Sequence, residues 1–112
     1  MNYLITESQI ENLVFRYLDN MFGVKEYRTD KYPTILFFIR DGKIYMEYDI
    51  ENDVLYMGYR VKYSIERSLE NMFNLNRIEI NKVMNEWLEQ VIGKKIKTRR
   101  FTESLPQTMN FE

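Results

Sequence analysis

Four carboxylates alternate along residues 47–53 (Glu47, Asp49, Glu51 and Asp53), and five cations crowd residues 94–100 (Lys94, Lys95, Lys97, Arg99 and Arg100). These two clusters have residue types and spacings that can do chemistry. Hard oxygen donors such as Glu47 and Asp49 suit Mg²⁺ or Ca²⁺. Asp49, Glu51 and Asp53 even share the one-three-five spacing of an EF-hand loop. However, Val54 stands where that loop needs glycine, and Arg60 where it needs its last glutamate. A metal-dependent nuclease strand would carry Glu-x-Lys or Asp-x-Lys, and Glu47-Tyr48-Asp49 offers no lysine. A solvated turn is the simpler account. Glu47 and Asp49 stand as the metal candidates, and no cofactor is expected.

The chain has no histidine and no cysteine. Within one chain this removes Ser-His-Asp triads, Cys-His dyads, imidazole acid–base chemistry, disulfides and thiolate or imidazole zinc sites. Carboxylate, lysine and tyrosine chemistry remains, and no set of these residues converges in the sequence. The chain is therefore read as a non-enzymatic protein.

The cation cluster is the clearest hint of a partner. Residues 94–112 hold five of the 16 Lys and Arg but only two of the 17 Asp and Glu, so an acidic body of residues 1–93 precedes a basic segment. Lys94, Lys95, Lys97, Arg99 and Arg100 suit phosphates or an acidic protein surface. Neutralising the body, or favouring the negative end of the preceding helix, is the structural alternative. Tyr45 and Tyr56 beside Lys43 suggest a second, weaker route to single-stranded nucleic acid by stacking, opposed by Glu47, Asp49 and Asp53.

Hydrophobic periods define the elements that must position these groups. Ile10, Leu13, Val14, Tyr17, Leu18, Met21 and Phe22 form one face of a helix over 7–22. Thr6 and Gln9 form a capping box at its start, Ile5 and Ile10 a hydrophobic staple, and Gly23 ends it at positive φ. Residues 25–33 read as a polar connector. Strands follow at 34–40, 43–49 and 54–59, the first two joined by Asp41-Gly42, a favoured hairpin turn. Strict alternation places Ile44, Met46 and Tyr48 on one face of the second strand and Tyr45 and Glu47 on the other. Val61, Ile65, Leu69, Met72 and Phe73 predict a helix over 61–73. A third helix runs from the Asn76 cap, with Glu79 at its third position, to Gly93. It repeats the stripe of the first at an offset of 70 residues, as any well-capped four-turn helix can.

The expected fold is thus α+β: an N-terminal helix, a three-stranded antiparallel meander and two C-terminal helices, in the order αβββαα. Residues 1–93 form one domain and residues 94–112 a basic, then polar, partly flexible tail. The two C-terminal helices and their short link could imitate a helix-turn-helix, but the third helix is net acidic where phosphates would lie. Burial of Trp87 would make that helix's stripe core, and exposure would make it a homo-oligomer interface.

Ile5-Thr6-Glu7-Ser8-Gln9-Ile10, Lys31-Tyr32-Pro33, the run from Lys43 through Asp49, and Ile80 through Leu88 with Trp87 resemble a group of small uncharacterised proteins of marine tailed phages. The resemblance implies a phage-encoded protein acting in a bacterial host cytoplasm or in a virion, and it carries no functional residues. The resulting expectation is an accessory or interaction protein that binds another protein. Its alternatives are a nucleic-acid-associated protein using residues 94–100 and, ranked last, a divalent-metal enzyme. No membrane association is expected.

Overall fold

In the computed structural model, which describes residues 7–27 and 34–108, the amphipathic stripes form three helices on one side of a single sheet. The elements are α1 (Glu7–Met21), β1 (Gly23–Tyr27), β2 (Ile35–Arg40), β3 (Lys43–Asp49), β4 (Val54–Gly58), α2 (Tyr59–Phe73), α3 (Arg77–Ile92), β5 (Thr98–Thr102) and β6 (Gln107–Thr108). The Thr6 capping residue, Ile5 of the staple and the Pro33 end of the connector lie outside the described residues.

The expected meander is corrected by this order. The sheet has six strands, runs β1-β2-β3-β4-β5, and takes β6 beside β3. The order is αββββααββ, and β4 and β5 are parallel where every other pair is antiparallel. Two misread segments account for the difference. Gly23 does not reach positive φ; it opens β1 and pairs with Ile39. Its strand lies at an edge, so it needs little apolar content of its own. The C-terminal cations form the opposite edge, with Val54 through Gly58 of β4 aligned on Thr98 through Thr102. A parallel pair needs a long crossover, and α2 and α3 supply it.

The helix-side core unites Val14 and Leu18 of α1, and Phe22 just after it, with Phe38, Met46, Tyr48, Leu55 and Met57 of the sheet. Val61, Ile65 and Leu69 of α2, Leu75 of the link, and Ile80, Val83, Met84, Trp87 and Leu88 of α3 complete it. Trp87 is 1% exposed, so the α3 stripe is core. Its indole N–H donates to Asp19 Oδ1 of α1 at 2.8 Å, giving the one polar atom of the ring a partner. The α3 cap forms as its sequence predicts. Asn76 Oδ1 accepts from Glu79 N at 2.9 Å, Glu79 Oε1 accepts from Asn76 N at 3.2 Å, and Gly93 closes the helix at φ 87°.

A bulge in β3 divides its side chains between two cores. Phe38 pairs with Met46 but Ile39 pairs with Ile44, which leaves Tyr45 as the extra residue. Ile44, Met46 and Tyr48 are all buried as expected, yet not on one face. Ile44 joins Phe37 and Leu105 in a second cluster on the helix-free face, with Ile35, Ile39 and Tyr56 around it. Tyr45 turns to the helix side, its ring 5.7 Å from that of Phe22. Glycine is required at the crossing of β4 and the C-terminal segment: a Cβ on Gly58 would lie 2.3 Å from the Leu105 carbonyl oxygen.

Candidate binding surface

Strand register decides where the cations point. Arg99 aligns with Leu55 and Phe101 with Met57, both helix-side residues, whereas Arg100 aligns with Tyr56 on the opposite face. The 94–100 cluster is therefore divided among several tasks. Lys94 Nζ sits 5.8 Å from the centroid of the Tyr48 ring. The Lys97 backbone N–H donates to Asp53 Oδ1 at 3.2 Å, and Thr98 N donates to the Asp53 carbonyl at the same distance. Arg99 Nη2 lies 4.0 Å from Glu89 Oε1. Lys95 and Arg100 are exposed. Among the described residues Arg100 has no ion-pair partner.

Asp53 is the centre of the first of these arrangements. It occupies the β3–β4 turn at φ 56° and accepts the hydroxyl hydrogen of Tyr48 at 2.5 Å. This bond lowers the Asp53 pKa against a weaker opposing effect of desolvation, and the Lys97 N–H, Lys94 and Lys97 lower it further. Burial, then the Asp53 bond and the charges of Asp53 and Asp49, push the Tyr48 hydroxyl pKa up. The cations at 94 and 97 therefore tie the linker after α3 to the acidic turn.

The two metal candidates are used differently. The Asp49 oxygens accept from Asn52 N at 3.0 Å and Asn52 Nδ2 at 2.7 Å, closing the turn. Glu47 aligns with Phe37 on one side and Tyr56 on the other, and burial raises its carboxyl pKa. Among the described residues no three Asp or Glu side chains gather as metal ligands. The pairing of Tyr45 with Tyr56 as a stacking platform is also overturned, because the bulge sends the two rings to opposite faces.

Beside β5 the fold assembles a surface whose parts lie far apart in the sequence. Phe101 stacks on Tyr59 at 5.7 Å between centroids and 29° between planes. Lys62 Nζ stands 4.9 Å from the Phe101 centroid and 5.7 Å from that of Tyr63, and it also pairs with Glu66 at 3.6 Å. Tyr59, Tyr63 and Phe101 are 45%, 58% and 40% exposed. Arg60 and Arg67 lie exposed on the same helix, without an ion-pair partner among the described residues. A signal was present: Tyr59, Arg60, Tyr63 and Arg67 fall off the Val61/Ile65/Leu69 stripe and so must face outward. Phe101, from across the α2–α3 crossover, could not be placed beside them by spacing.

No family model matches the chain, and no match was found among curated proteins or solved structures. Among the described residues no helix is long and apolar enough to cross a membrane.

Proposed function

We propose that the chain is a non-enzymatic accessory protein that acts by binding another protein through the start of α2 and strand β5. The observation that carries this reading is the exposed set of Tyr59, Tyr63 and Phe101 interleaved with Lys62, Arg60 and Arg67. Aromatic and arginine side chains dominate the energetics of protein interfaces, the aromatics because they bury large areas at low entropic cost and arginine because it adds directed hydrogen bonds and charge. The partner surface is acidic. The resemblance to phage proteins supports a phage origin and action in the host cytoplasm or the virion. Affinity capture from phage-infected host cells tests the reading. Tyr63→Ala with Arg67→Ala should lose a partner that the wild-type chain retains, and an unchanged set of captured proteins would reject the surface.

Arg60 and Arg67, without ion-pair partners among the described residues, favour a second reading, in which the same surface holds single-stranded nucleic acid by phosphate contact and stacking. It predicts a mobility shift that weakens steeply with salt and is lost in Arg60→Ala with Arg67→Ala. No shift at low salt would remove it. Deleting residues 94–112 is not a clean test, since it also removes β5 and β6.

A further inference from the structure

A hollow of about 210 Å³ opens between the end of α1, the bulged β3, the first turns of α2 and the segment entering β6. Its floor is apolar: Phe22, Val61 and Ile65 are buried, and Met21, Tyr45 and Pro106 close the sides. The bulge at Tyr45 is what brings that ring to this side of the sheet. The mouth is cationic. Arg40 and Arg60, both exposed, line it together with Ser64. Arg40 Nε lies 3.7 Å from Asp41 Oδ2 in the hairpin turn, and Arg60 has no ion-pair partner among the described residues. The first turn of α2 contains no acidic residue, and its cap, Gly58, offers no side-chain oxygen. The amide end of the helix dipole therefore adds positive potential at this mouth.

We propose that this hollow binds a small amphipathic carboxylate: an unbranched apolar chain of six to eight carbons on the floor, and a carboxylate between Arg40 and Arg60. The length follows from the space. An apolar cavity of about 150 Å³ holds the six carbons of benzene, so a hollow of about 210 Å³ suits six to eight. The head group follows from charge, since two guanidinium groups at an apolar mouth match a carboxylate. The site lies across α2 from Tyr59 and Phe101 and shares only Arg60 with the protein-binding surface.

Titration of the full chain with octanoate, followed by the methyl NMR signals of Met21, Val61 and Ile65, tests the assignment. Octanoate should shift these signals saturably. Octanol, of the same length without charge, should bind at least tenfold more weakly, and acetate should not shift them at the same concentrations. Equal binding of octanoate and octanol would show that the arginines select nothing and overturn the proposal, as would the absence of saturable shifts. Arg40→Gln with Arg60→Gln changes exposed side chains only. It should weaken octanoate tenfold or more and leave octanol unchanged, and an unaltered octanoate affinity would equally refute the site. Shifts of the same signals on adding an acidic peptide, with none on adding octanoate, would overturn the proposal and assign the hollow to a protein side chain instead.

Discussion

Helices α1 and α3 carry the same apolar grammar, and each leads into an edge strand of the same sheet, yet they leave their last turns differently. After α1, Phe22 N still bonds Leu18 O at 3.1 Å, and Gly23 passes directly into β1, antiparallel to its neighbour. After α3, Gly93 turns through positive φ, and a linker bonded to Asp53 delivers β5 parallel to β4. The antiparallel edge is built from local contacts. The parallel edge depends on a two-helix crossover, a turn carboxylate, and a close passage over Gly58. Similar helices thus produce edges of different robustness, because the exit from each helix decides how many distant groups must already be in place.

The comparison can be broken most severely at the aligned positions 17 and 87. Trp87→Ala should destabilise the fold by about 4 kcal/mol, and Tyr17→Ala, at a half-buried site, by about half that. Denaturant unfolding of both variants measures this, and equal losses would show that the helices share the core evenly. Gly58→Ala should cost about 3 kcal/mol, because its Cβ meets backbone that cannot rotate away. Hydrogen exchange should show β5 and β6 losing protection while β1 and β2 keep theirs. Uniform loss would mean that the two edges are one cooperative unit.

Two smaller effects sharpen the electrostatic side. The Asp53 pKa is lowered in the folded state, so its contribution is complete above the unfolded carboxyl value of about 4 and disappears as pH falls through the folded value. Asp53→Asn tolerates the same backbone, and it should flatten the acid limb of a melting-temperature profile below about pH 4. An acid limb identical to the wild type would mean that the Asp53 carboxylate does not stabilise the link between the β3–β4 turn and residues 97–98. Glu47 has the opposite sign. Its raised folded pKa penalises the charged form above that value, and the penalty fades as pH falls towards the unfolded value. Glu47→Gln should therefore raise the melting temperature slightly at pH 7 and leave it unchanged below about pH 4. Any loss of stability at pH 7 would give the carboxylate a favourable partner.

Much of the helix-side core was legible because one period governs it. Val14, Leu18, Val83 and Trp87 recur at helical spacing, and Asn76 with Glu79 announces a start. The β2–β3 hairpin was equally plain, with Asp41 and Gly42 at φ 52° and 74°. The edge strands were hidden for a physical reason. A strand at an edge is shielded on fewer sides, so Lys25, Glu26, Arg99 and Arg100 are tolerated and mask its period. The bulge kept the right residues buried while exchanging their faces, a change that alternation cannot register. For the binding surface, Arg99 and Arg100 drew notice by charge. The association of their neighbour Phe101 with Tyr59 and Lys62 required knowing that β5 lies parallel to β4, which no local pattern encodes.

The late arrival of β6 has a consequence for biosynthesis. Lys43 and Ile44 of β3, paired with β2 on one side, find their second partners in Thr108 and Gln107, which a ribosome adds only after both helices of the crossover. Until then a nascent chain carries a half-unzipped central strand and an uncovered Ile44. Segments emerging N-terminus first fold in that order, so the chain stays adhesive until Leu105 through Thr108 have emerged. A polypeptide cut near residue 100 should keep most of its core and nonetheless require a chaperone, whereas one that includes Leu105 and β6 closes its own seam.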